Sequence, residues 1–147
     1  MNDFEKTIAK VPEIAYGYCR GLKALKHDSQ YVFADSRLLD GSVNIDDCTK
    51  CKYPSSNRWD YVISYKGQAY FLEVHPATNG SVKEVIAKLM WVKGWLKEVA
   101  YELDLYPSGT PRFNWVHSGK CGLLKSSKEY KKAAMFGLVP VNKLNLH

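Results

Sequence analysis

Asp60, Glu73 and His75 are the residues whose types and spacing suggest chemistry. They lie in Arg58-Trp-Asp-Tyr-Val-Ile-Ser-Tyr-Lys-Gly-Gln-Ala-Tyr-Phe-Leu-Glu-Val-His75, where two runs rich in aromatic and β-branched residues flank Lys66-Gly67. The pattern predicts a strand, a tight turn and a second strand. With Lys66 and Gly67 as the loop, Tyr65 pairs with Gln68 and Asp60 falls opposite Glu73. Alternation along the second strand puts Glu73 and His75 on one face with Ala69 and Phe71. Like charges facing each other across a sheet destabilise it. Two carboxylates and an imidazole at the end of an apolar hairpin therefore suit a shared divalent cation. The plainer alternative is a pair of acids solvated at a fraying strand end.

A second group of ligand-type residues is Cys48-Thr-Lys-Cys51, with His117 and Cys121 farther on. The short Cys spacing resembles a zinc knuckle, and the four together make a candidate structural Cys₃His zinc site that ties a loop to a later strand. The alternative is reduced loop thiols. No GxxxxGK or GxGxxG loop is present, so nucleotide hydrolysis has no support. No Ser or Cys has a recognisable base beside it, which leaves nucleophilic catalysis unsupported too.

At 147 residues the chain is expected to form one domain, residues 1–147, large enough for a core. Its net charge of +6 is unevenly spread: residues 1–111 balance fourteen Lys and Arg against fourteen Asp and Glu, so the excess lies in the last quarter. Lys125, Lys128, Lys131 and Lys132 form the densest part and are candidate nucleic-acid contacts. A solvated helix face is the alternative. The start is polar and acidic, and no apolar run reaches membrane-spanning length. The expectation is a cytoplasmic protein with no membrane partner.

These residues need elements to position them. Residues 1–11 predict a short helical lead-in. Ile14, Ala15, Tyr18, Leu22 and Leu25 make an apolar stripe that predicts a helix over 12–26, opened by Pro12. Gln30–Ala34 and Arg37–Val43 predict short strands, followed by an irregular connection to Asn57. After the hairpin, Ser81 and Glu84 suggest a capping box for a long helix over 82–104, ended by Pro107, Gly109 and Pro111. Arg112–His117 predicts a strand, 126–136 a basic amphipathic helix, and 139–144 an edge strand. The class is α/β, of the α+β kind, with a mixed sheet and helices on its faces.

That order, with an acid on one strand and an acid-x-base tripeptide (Glu73-Val74-His75) on the next, resembles the PD-(D/E)XK nuclease fold from Pro12 to His117. This restriction-endonuclease-like superfamily includes Holliday-junction resolvases and other DNA-processing nucleases. The resemblance implies an αβββαβ core, here extended by a C-terminal helix and edge strand. It implies that Asp60 and Glu73 hold Mg²⁺ or Mn²⁺ with the Val74 carbonyl, and that Glu13 is an additional acid. The metal would activate water and stabilise charge on the phosphate being cut.

His75 departs from the motif, whose last position is normally Lys. It can act as a base or ligand, or the lysine has moved to the following helix, where Lys83 is the candidate. The expected function is a metal-dependent hydrolase, a phosphodiesterase acting on nucleic acid, DNA above all. The alternative is a catalytically inactive module binding nucleic acid or a protein partner. A homodimer would suit cleavage of both strands.

Overall fold

A computed structural model describes all 147 residues, Met1–His147. Helix α1 (Asp3–Ala9) is capped by the Asn2 side chain, which accepts from Glu5 N–H. Strand β1 (Val32–Phe33) is short, and β2 (Leu39–Asn44) leads into α2 (Ile45–Thr49). Strands β3 (Tyr61–Tyr65) and β4 (Gln68–His75) form the hairpin. The long helix α3 (Val82–Glu98), α4 (Tyr101–Leu105), β5 (Ser108–His117), α5 (Lys128–Met135) and β6 (Leu144–Asn145) follow. No helix is long and apolar enough to cross a membrane.

The fold is mixed α/β. Its main sheet runs β2-β3-β4-β5, antiparallel except for the parallel β4–β5 pair; β1 and β6 pair in parallel separately. A parallel neighbour requires a crossover, and α3 is that crossover. The hairpin has the expected register, Tyr65 with Gln68 through Tyr61 with Leu72. Lys66 (φ 51°) and Gly67 (φ 74°) both adopt positive φ, as a two-residue turn matched to strand twist needs.

Alternation on β4 divides the interior. Ala69 and Phe71 enter the larger core, with α1, α3 and Trp115, whereas Leu72 enters a smaller one on the opposite face, with Leu25, Val116 and Leu144. Glu73 points to the larger core's side and is fully buried.

The helix expected over 12–26 does not form. Residues 12–16 make turns, Cys19 pairs with Ser42 at the β2 edge, and residues 23–31 form a 3₁₀ segment with Lys26 at φ 51°. The stripe's members serve different faces of the sheet, Ile14 the larger core and Leu25 the smaller, which one straight helix cannot do. Gly17 lies so close to Cys48 and Val43 that a side chain would collide, and Gly21 (φ 52°) turns the chain.

The long helix also stops earlier than expected. Val99 and Ala100 both donate to the Trp95 carbonyl, and α4 restarts at Tyr101. Its expected cap is displaced as well. Thr78 caps a 3₁₀ turn ahead of α3, Ser81 Oγ donates to the Pro76 carbonyl, and Glu84 turns to His75.

Candidate active site

Asp60 stands just before β3 and Glu73 near the end of β4, and their side chains continue the hairpin where its backbone ladder ends. Asp60 N–H donates to Glu73 Oε1 (3.1 Å), and Val74 N–H donates to Asp60 Oδ2 (3.0 Å). The Asp60 carbonyl accepts from Ile45 and Asp46 N–H at the start of α2. Each acid is thus held by the other's backbone neighbourhood, and the expected opposition of Asp60 and Glu73 is met.

The cation at this pair is Lys88 of α3. Its Nζ donates to Glu73 Oε2 at 2.6 Å and lies 3.8 Å from Asp60 Oδ1. Lys83, the lysine expected here, is exposed and lines another cleft. Residues 84, 88, 91 and 95 form one line on a helix of 3.6 residues per turn, and that line faces the hairpin end; position 83 does not belong to it. Lys88 sits at the edge of the apolar stripe, an ordinary surface lysine by sequence. The only signal was its helical alignment with Glu84.

His75 completes the group. Nδ1 is 3.6 Å from Glu73 Oε2, and Nε2 is 3.3 Å from Glu84 Oε2. Glu73 is fully shielded, with Asp60, Lys88 and His75 between 15% and 19% exposed. Burial and the Glu73 charge push the Asp60 carboxyl up to about 8, against the pull of Lys88 and the Val74 N–H. Burial opposes the charge on Lys88, but Glu73 and Asp60 outweigh it and raise the ammonium above its ordinary value.

The nearby Glu73 carboxylate, partly offset by burial and Lys88, raises His75 above its usual value. A histidine raised in the fold adds stability below its unfolded value, and that stability is lost as pH rises through the folded value. His75→Gln is therefore expected to lower Tm at pH 6 and leave it nearly unchanged at pH 9. Thermal melts at the two pH values check this, and an equal loss at both overturns the charge assignment.

Glu13, expected as a further metal acid, is occupied elsewhere. Its carboxylate accepts from Tyr53 Oη (2.9 Å) and Trp95 Nε1 (3.0 Å) and pairs with Lys52 (2.9 Å). Burial would raise its carboxyl, but the three donors together hold it below the ordinary value. Trp95 is seven residues from Lys88, about 10 Å along the helix. Glu13 therefore belongs to an aromatic wall beyond the acid pair.

The expected zinc set is not gathered, since no three His, Cys, Asp or Glu side chains are grouped as around a metal ion. Cys48 is half-buried beside Gly17, and burial pushes its thiol up. Cys121 donates to the Leu123 carbonyl, and His117 Nδ1 contacts the Gly119 carbonyl (2.8 Å). Parallel pairing instead sets His117 in register beside His75.

Lys125, Lys128, Lys131 and Lys132 are exposed. Lys128, Glu129 and Lys132 of α5 face Lys83 and Asn79 across a cleft of about 370 Å³. Comparison of the chain with protein-family models, curated proteins and solved structures finds no match.

Proposed function

We propose that this chain is a metal-dependent phosphodiesterase acting on nucleic acid, DNA above all, with the αβββαβ core of the restriction-endonuclease-like superfamily. The observation that carries the reading is the meeting of Asp60, Glu73 and Lys88 at the open end of one hairpin. The order α1, β2, β3, β4, α3, β5 and the parallel β4–β5 pair support it. Lys88, from the helix, takes the role that the motif normally gives to the strand position held by His75.

Asp60 and Glu73 are the two side chains that would hold a divalent cation, with no third His, Cys, Asp or Glu grouped with them as a ligand. Asp60 and Glu73 offer hard oxygen donors, and Asp60 is raised to about 8 by burial first and by the Glu73 charge second, so a dication there would favour its ionised form. Asp60, Glu73 and the Val74 carbonyl would hold Mg²⁺ or Mn²⁺, which supplies Lewis acidity and a more acidic bound water. Lys88 is a strongly charged donor, suited to orient the attacking water and balance negative charge on the phosphate. His75, itself held by two carboxylates, positions Glu73. Lys83, Lys128 and Lys132 suit contacts to backbone phosphates.

One observation favours a second reading, a binding module without catalysis. Lys88 already reaches both acids and His75 sits on Glu73, so internal cations answer much of the charge. A plasmid-nicking assay separates the two. Mg²⁺- or Mn²⁺-dependent nicking, lost in Glu73→Ala, is the expected result, together with a Mg²⁺-induced rise in Tm at pH 8 that the variant lacks. Salt-sensitive DNA binding with no nicking and no metal-induced shift would establish the binding module instead.

A further inference from the structure

Helix α3 borders two clefts, one on either flank, and they share Met90 and Gly94. On one side, a space of about 280 Å³ is walled by Tyr53, Trp91 and Trp95, with Glu98 its one acid. Trp91 stacks on Trp95 (centroids 5.6 Å apart, planes 12° apart) and meets Tyr53 edge-on at 5.6 Å. Glu13 fixes this wall by accepting from both Tyr53 and Trp95. Trp91 is one turn beyond Lys88, and the Tyr53 carbonyl accepts from Arg58, two residues before Asp60. The aromatic wall thus continues the acid site.

On the other side, a cleft of about 500 Å³ is lined by Lys93, Lys97 and Arg112, with Asp104 the one acid. Arg112 Nη2 donates to Asp104 Oδ1 (2.9 Å), while its Nε is buried with no partner. Its guanidinium lies 5.3 Å from the Phe71 centroid and 5.5 Å from that of Phe113. Lys93 and Lys97 are exposed and join no salt bridge. The cleft keeps a positive balance for an anion.

Gly94 lies between the two. Inside a 17-residue helix, glycine is the least favourable residue after proline. No packing requires it, for no heavy atom lies within 4 Å of where a Cβ would be. A low saddle between an aromatic wall and a basic cleft gives this glycine a use.

We infer that a nucleotide of single-stranded nucleic acid crosses α3 at Gly94, its base against Trp91 and Tyr53 and its phosphate at Lys93, Lys97 and Arg112. Aromatic faces accept any unstacked base, whereas a duplex keeps its bases stacked. The inference rests on the reading of the chain as acting on nucleic acid, and it specifies the substrate class as single-stranded or locally unpaired.

Fluorescence anisotropy in EDTA, where no cleavage occurs, tests it with labelled oligothymidine, an abasic strand of equal length and a duplex. The wild type is expected to bind oligothymidine about tenfold more tightly than the abasic strand, with quenching of tryptophan emission. Trp91→Ala erases that ratio. Lys93→Ala with Lys97→Ala weakens both strands equally and lowers the salt slope by about 1.4. Gly94→Leu weakens oligothymidine binding, while Gly94→Ala raises Tm by about 2–4 °C. Equal affinity of the wild type for the two strands, without quenching, overturns the inference even if duplex is cleaved in Mg²⁺. A base-dependent ratio kept by Glu73→Ala, with no cleavage by the wild type, removes the catalytic reading and leaves this subsite standing.

Discussion

Lys88→Met is expected to lower cleavage about 10³-fold and to reduce stability by about 3 kcal/mol. Both effects follow from one position. Glu73 is fully shielded from solvent and has its shortest contact, 2.6 Å, with Lys88 Nζ. Methionine keeps the length of the side chain and removes the charge, so Glu73 is left buried against Asp60, itself an acid. Removing one member of a buried ion pair strands the other, and the cost is that of the stranded charge. Glu73→Gln in the same chain turns the stranded group neutral. The double variant is therefore expected to regain most of the stability and none of the activity. Denaturant unfolding and plasmid nicking, run on the two single variants and the double, measure the coupling directly. Full nicking by Lys88→Met would remove Lys88 from the chemistry and leave His75 to orient or deprotonate the attacking water.

Asp60→Asn is the second large effect, and its sign depends on pH. The carboxyl stands at about 8 in the fold against an ordinary 3.8. Between these values the folded state binds a proton that the unfolded chain has released, so stability falls as pH rises. The difference caps the loss at about 6 kcal/mol. Asparagine imitates the protonated acid and removes the fall. The variant is expected to melt close to wild type at pH 5 and several degrees above it at pH 9, with nicking abolished at both. Metal acts in the same direction on the wild type, because a dication favours the ionised acid, so Mg²⁺ narrows the gap at pH 9. Parallel melting curves with and without Mg²⁺ provide the measurement. A variant less stable than wild type at pH 9 would show that Asp60 is ionised and already well paired there.

The two variants also bear on the inactive-module reading. If the site only supports the fold, Asp60→Asn stabilises the protein at high pH and nothing measurable is lost. If it cuts nucleic acid, the same substitution exchanges activity for stability, as sites built from confined like charges do.

Much of this was legible in the sequence because it is decided locally. The hairpin register follows from two turn residues with positive φ, Lys66 and Gly67, and the register alone places Asp60 opposite Glu73. Helices α3 and α5 show in apolar periodicity and in the residues at their ends, and α1 as a short helical lead-in. The other assignments depended on how elements meet. The apolar positions from Ile14 to Leu25 read as one helix, yet their partners lie on opposite faces of the sheet, and periodicity does not record which face a residue will find.

Lys88 rather than Lys83 meets Glu73, and Glu13 meets Trp95 rather than the acid pair, because the rotation and axial position of α3 on the sheet set those contacts. That placement comes from packing between Val85, Leu89 and Val92 and strands far away in the chain. His117 likewise left the expected cysteine set for a place beside His75, since the crossover through α3 fixes the parallel register. Short-range chemistry chose the two acids and brought them together. The side chains around them were chosen by the core beneath, where burial fixes the angle and height at which a helix comes to rest.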